Sequence, residues 1–289
     1  MFYKTLQQNK QVTISRNAED FLIIINPNID IKKKNEMFAK NAPRGTATEI
    51  QIQNWFNKLN WESMGLTYTT FSFDTHVKPL TNGRKPDASH IGRGYAKSEF
   101  NVACVCDLKN RDKNKDSFSP DDKGKAVALA QSIWNTQKEI RTAGVPSYLC
   151  DGTVIMFFIY SEDSSGYASV RESPPLYLNP GQNDAVDGGV WLLSLLTTPI
   201  VNLGLKLPIV KVSDRLLPWY GYLGSGASSR VLLSEYEGNR VAVKWREKMS
   251  TFDPEDNEFR VLQVINKKVP DAHIPKLVAR SDCGKHDIV

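Results

Sequence analysis

NVACVCDLK, residues 101–109, is the stretch on which the reading of this chain turns. It is apolar and β-prone as far as Cys106 and then ends on an acid and a base. Side chains alternate across an extended strand, so Val102, Cys104, Cys106 and Leu108 share one face, and Ala103, Val105, Asp107 and Lys109 share the other. Two readings of Asp107 and Lys109 stand. Either the strand end reaches solvent and these are surface charges, or they sit on a central strand, where desolvating them demands a partner or a task.

Working upstream, Pro86-Asp87 lies twenty positions before Asp107. A hairpin turning through GRGYAKSE, residues 92–99, would lay the two carboxylates side by side. Two converging acids form an oxygen-ligand site for a hard divalent cation, Mg²⁺ or Mn²⁺. A nearby lysine can position the attacking water or offset charge building on phosphate, so the set suits phosphodiester hydrolysis.

The flanking segments predict helices. Thr46-x-x-Glu49 matches a capping box, and Ile52, Phe56 and Leu59 recur at helical spacing behind it, predicting about four amphipathic turns. Downstream, Ser119, Pro120, Asp121 and Asp122 form a helix start, with Val127, Ala130, Trp134 and Gln137 on one face packed toward the hairpin. Strands are expected in FLIIIN (21–26), LTYTTFSF (66–73), SYLC (147–150) and TVIMFFIY (153–160), the last two joined at Asp151-Gly152. Helix, three strands, helix, two strands predicts an α/β (α+β) mixed sheet flanked by helices.

The 289 residues are 40% hydrophobic and 24% charged, ordinary for a globular protein with one large or two modest domains. Lys and Arg exceed Asp and Glu, 37 against 32, which suits a polyanionic partner only weakly. Cys104, Cys106, Cys150 and Cys283 show no CxxC pair, so neither a zinc ribbon nor a disulfide framework is indicated. The opening MFYKTLQQNKQVTISR has no apolar core of signal-peptide length, and the expected location is intracellular, nuclear or cytoplasmic. Pro199, Asn202, Lys206 and Pro208 interrupt the apolar run Val190–Val210, which predicts a buried helix over 190–196 and an extended connector rather than a membrane span.

Pro86-Asp87 with Asp107-Leu108-Lys109 resembles the PD-(D/E)xK restriction-endonuclease motif. More specifically, NAEDFLIIINPNI (17–29), NAPRGTATEIQIQNW (41–55), NGRKPDASHI (82–91) and ACVCDLK (103–109) resemble the nuclease-like domain of Crinkler-type effectors of fungi and oomycetes. The resemblance implies a restriction-endonuclease-like sheet with Asp87 and Asp107 as metal ligands and Lys109 as the catalytic lysine. It adds Glu49 as an auxiliary acid and metal ligand, and Gln131 on the later helix. Glu49 has a rival role as the reciprocal residue of the capping box, and Gln131 one in surface packing. The implied partner is nucleic acid, double-stranded DNA above all, met by Arg84, Lys85, Lys109, Arg111, Lys113 and Lys115. A run such as KNRDKNKD (109–116) also reads as a solvated face.

A second pattern begins at Leu223. LGSGASSRV (223–231) resembles the protein-kinase glycine-rich loop, with Gly224, Gly226 and Val231 in place and Ser229 where the third glycine usually stands. VAVK (241–244) resembles the strand that carries the nucleotide-contacting lysine, here Lys244, with Glu258 as its helix partner and Glu255 as the rival. The resemblance implies a kinase-like N-lobe, a small antiparallel sheet plus one helix, binding ATP weakly and open to protein partners. No HRD or DFG sequence follows within these residues, so phosphoryl transfer is not expected. The domains are expected at 1–210 and 211–289. The competing expectation is a non-catalytic interaction module, or a piece of a larger serine/threonine kinase-like protein.

Overall fold

The computed structural model describes residues 2–43, 47–68, 70–74, 83–93, 95, 97–111, 117–138, 140–179, 187–207, 211–212, 215–225, 229–247, 281–282 and 286–288. The chain divides into two compact units, Met1–Lys206 and Leu207–Val289.

In the first unit, helix α1 (Phe2–Gln8) and strand β1 (Val12–Ile14) precede helices α2 (Ile31–Ala39) and α3 (Glu49–Asn57). Then come β2 (Thr70–Asp74), β3 (Ala88–Gly92), β4 (Val102–Leu108), α4 (Pro120–Gln137), β5 (Val145–Cys150), β6 (Val154–Glu162), β7 (Ala168–Glu172), β8 (Leu176–Tyr177) and α5 (Gly188–Thr197). The strands form one mixed sheet in the order β1-β7-β6-β5-β4-β3-β2, with β8 beside β6. β4 and β5 run parallel across the α4 crossover, and β3 and β4 pair antiparallel. The expected run of helix, three strands, helix and two strands is therefore present from α3 to β6.

Helices cover both faces of the sheet. Phe38, Trp55, Phe56, Leu192 and Leu195 pack with Cys104, Cys106, Tyr148 and Phe157 on one side. Tyr3, Leu6, Val127, Ala130 and Ile133 pack with Val105, Leu149, Met156 and Phe158 on the other. All seven residues of β4 are buried, as a central strand covered on both faces requires. No helix among the described residues is long and apolar enough to cross a membrane.

Several local expectations change. FLIIIN is not a strand: Ala18–Phe21 is a short 3-10 helix ended by Leu22 at φ 62°. The backbone beyond it turns to α5 for partners, Ile24 N–H donating to Thr198 Oγ1 and Asn26 N–H to Ser194 Oγ, both at 3.0 Å. The cap of α3 lies two residues later than expected, with Thr48 as N-cap and Gln51 as its reciprocal partner. The α4 start is as expected, Ser119 Oγ accepting from Asp122 N–H, but its apolar face lies across β4, β5 and β6 instead of on the β3–β4 hairpin alone. After α5 the chain folds into turns over residues 200–204 rather than an extended connector, and Leu203 and Leu205 are buried.

The second unit carries a two-stranded ribbon, β9 (Lys211–Val212) with β10 (Arg215–Leu216). Its main sheet comprises β11 (Trp219–Ser225), β12 (Ser229–Tyr236), β13 (Asn239–Glu247), β14 (Ser281–Asp282) and β15 (His286–Ile288), ordered β11-β12-β13-β15-β14 and antiparallel throughout. The β12–β13 turn places Glu237 at φ 50° and Gly238 at φ 79°, the two positive values that a tight hairpin turn demands.

Candidate active site

Asp87 immediately precedes β3, and Ala88 lies opposite Cys106 on β4, so the hairpin register brings Asp87 beside Asp107. Backbone bonds secure the junction: Asp87 N–H donates to the Cys106 carbonyl at 3.0 Å, and Leu108 N–H donates to Asp87 Oδ2 at 2.6 Å. From α3, Gln53 Nε2 donates to the Asp87 carbonyl at 3.2 Å.

Asp107 is buried, and among the described residues no donor reaches its Oδ2. The carboxyl of Asp87 faces it within hydrogen-bonding reach. The Asp107 pKa is raised to about 7, chiefly by burial, with Lys109 acting to lower it and the like charge of Asp87 acting to raise it.

Lys109 follows β4, its N–H donating to the Cys150 carbonyl at 3.0 Å. Its Nζ lies 3.1 Å from Asp107 Oδ1 and 3.4 Å from Glu49 Oε1, and donates to the Leu108 carbonyl at 3.2 Å. Burial acts to lower its pKa, but the combined fields of Asp107, Asp87 and Glu49 outweigh it and the net direction is up. Lys109 is therefore an ammonium at neutral pH.

Glu49 is the first residue of α3 and takes no part in its cap. Its half-exposed carboxylate turns to Lys109 instead. Among the described residues no group of three or more His, Cys, Asp or Glu is placed to hold a metal ion, and Glu49 is an ion partner of Lys109. Two carboxylates still suffice for Mg²⁺, which binds through one or two of them and keeps several waters or substrate phosphate oxygens. Asp107 Oδ2, buried against a second acid without a donor among the described residues, fits such an ion.

Gln131 is not brought to this cluster. Its Nε2 donates to Tyr160 Oη at 3.2 Å, and Tyr160 pairs with Val145, four residues along β5 from the Leu149 that lies opposite Asp107. That is roughly 13 Å of strand.

Arg111 is buried, with its Nε 3.0 Å from Asp151 Oδ2, so it anchors the β5–β6 turn and is not a surface phosphate contact. Arg84 and Lys85 are exposed just before Asp87, and Lys113 and Lys115 lie outside the described residues. Two features escaped the sequence pattern, the Arg111–Asp151 pair and Gln53. Gln53 alone carried a signal, a polar residue one turn after Glu49 beside Ile52 and Phe56.

In the second unit, Gly224 on β11 lies opposite Val231 on β12, and Val231 lies opposite Lys244 on β13. Gly226 and Glu258 lie outside the described residues.

Residues 49–139, from the start of α3 to just past α4, match the family model described as a domain of unknown function, DUF6826. That span holds Glu49, Gln53, Asp87, Asp107, Lys109 and Gln131. No curated protein matches the chain, and no solved structure matches it.

Proposed function

We propose that the first unit is a metal-dependent phosphodiesterase of the PD-(D/E)xK kind, acting on nucleic acid and on double-stranded DNA in particular. The observation that carries this reading is the meeting of Asp87 and Asp107, with Asp107 Oδ2 buried and given no donor by the described residues and the Lys109 ammonium 3.1 Å from Oδ1. Such an arrangement costs stability in a metal-free protein and serves a function once a divalent ion neutralises it. The order of elements from α3 to β6, with the first acid entering the second strand and the second acid on the third, supports the same reading.

Asp87 and Asp107 would hold Mg²⁺ or Mn²⁺. Bound there, the ion would polarise a phosphoryl oxygen and make an attacking water more acidic. Lys109, kept protonated by its carboxylate neighbours, is unsuited to act as a base and sets positive charge where the phosphate gains negative charge. Glu49 orients that ammonium from α3. Exposed Arg84 and Lys85, on the chain entering Asp87, suit the backbone of a polyanion.

For the second unit the supported reading is a nucleotide-contacting lobe of kinase type. Its third main-sheet strand carries Lys244 opposite Val231, downstream of the glycine-bearing β11. A Crinkler-type effector acting inside a cell, in nucleus or cytoplasm, would unite the two.

The deciding experiment is single-turnover incubation of the chain with supercoiled plasmid and Mg²⁺ or Mn²⁺. Nicked or linear DNA is expected with the ion and none with a chelator. Intact plasmid at stoichiometric protein would instead favour the interaction-module reading.

A further inference from the structure

Gln53 is 8% exposed and sits on α3 one turn beyond Glu49, at the i,i+4 spacing that puts both side chains on one helix face. A buried amide must find partners, and this one finds two acceptors for the two hydrogens of its nitrogen, the Asp87 carbonyl and Asn57 Oδ1, each at 3.2 Å. The carbonyl of Asp87 can only accept, so the amide nitrogen and not its oxygen must face it.

This bond holds the peptide that links Asp87 to Ala88, while the Leu108 N–H grips Asp87 Oδ2 at 2.6 Å. One helical turn therefore touches both halves of the cluster, Lys109 through Glu49 and Asp87 through Gln53. The rest of the α3 face buries Ile52, Trp55 and Phe56, which seat the helix in the apolar core.

We infer that Gln53 is a positioning residue: it orients Asp87 as an ion ligand by holding its backbone carbonyl, and so sets divalent-cation affinity without touching the ion. The inference rests on the metal-dependent reading above. Residues that orient metal ligands in this way change affinity by about 10–100-fold when replaced.

The test is Mn²⁺ titration of the full chain by calorimetry, with the paramagnetic resonance spectrum of bound Mn²⁺ as a report on ligand geometry. Gln53→Met, close in volume but unable to donate, is expected to weaken Mn²⁺ binding about 10–100-fold and to alter that spectrum. A residue that merely packed α3 would move the melting midpoint and leave both readouts unchanged. Where Gln53→Met does not fold, Gln53→Asn, one methylene too short to reach the carbonyl, decides with the same readouts. Folded variants that bind Mn²⁺ with the parent's affinity and spectrum overturn the inference. A parent chain that binds no Mn²⁺ removes the metal-dependent reading itself, and this inference with it, an outcome distinct from the first.

Discussion

The backbone N–H of Leu108 donates to Asp87 Oδ2 at 2.6 Å, so the strand carrying Asp107 also grips the acid beside it. The half-buried Asp87 carboxyl is thereby held by backbone beside the buried carboxyl of Asp107.

The first prediction follows from that confinement. At pH 8 in chelator, Asp107→Asn removes a buried like-charge contact and is expected to stabilise the protein by about 1–2 kcal/mol in urea denaturation. The same substitution should abolish divalent-cation binding in calorimetry. A variant that lost stability and kept binding the ion would place the site elsewhere.

Lys109→Ala should retain Mn²⁺ binding and lose cleavage by about 10²–10³-fold, because its ammonium serves the charge that develops on phosphate rather than the resting site. Single-turnover rates on plasmid measure this. Glu49→Gln, which removes one of the three carboxylates around Lys109, should cost less than Lys109→Ala.

Acid titration should separate two buried groups of opposite sign. His90 pairs its Nε2 with Tyr148 Oη at 2.7 Å, its Nδ1 is buried without a partner among the described residues, and burial lowers its pKa to about 3. The unfolded chain, with His near 6.5, binds the extra proton, so this contribution is intact above pH 6.5 and is lost as pH falls toward 3, by about 1.4 kcal/mol per unit at most. Asp107, raised to about 7, binds its proton more tightly when folded, so its contribution is present below about pH 4 and is lost as pH rises to 7. The two slopes oppose between pH 4 and 6.5. In chelator, Asp107→Asn should therefore lose stability on acidification faster than the parent, by about 1 kcal/mol per pH unit, read from urea midpoints across that range. Equal slopes would show that Asp107 titrates as an ordinary carboxylate.

Asp151 accepts from Thr153 N–H and Val154 N–H through Oδ1 and from Arg111 Nε through Oδ2. Asp151→Ala leaves a buried guanidinium without this carboxylate and the turn without its cap, and should cost about 3–5 kcal/mol in chemical denaturation. Gly152→Ala in the same turn should also destabilise, because Gly152 has φ +85° and an added Cβ would lie 2.6 Å from Pro43 Cδ.

In the second unit, Lys244→Ala should abolish weak binding of an ATP analogue while leaving the fold of β11, β12 and β13 intact. Calorimetry with the parent and the variant checks this, and equal heats would reject the nucleotide-contacting role.

Strand and helix positions with local signals were legible in the chain itself. The alternation through NVACVCDLK, the Ser119-Pro120 helix start and the Asp151-Gly152 turn are each written within about ten residues, because pleat, cap and turn chemistry act over that range. Where the local signal was ambiguous, packing decided. FLIIIN had strand composition, yet its backbone found the hydroxyls of Ser194 and Thr198 on α5, some 170 residues away in sequence. The α3 cap fell to Thr48 instead of Thr46, and that freed Glu49 for Lys109. Sequence alone marked Asp87, Asp107 and Lys109 as acids and a base at a suggestive spacing. Only the tertiary structure decided that β3 and β4 pair in the register that sets Asp87 against Asp107, that α3 reaches Lys109 and the Asp87 carbonyl, and that Gln131 does not reach them. Such convergence depends on the register of strands and the seating of a helix, which are settled by burial summed over the whole sheet rather than by any short run of residues.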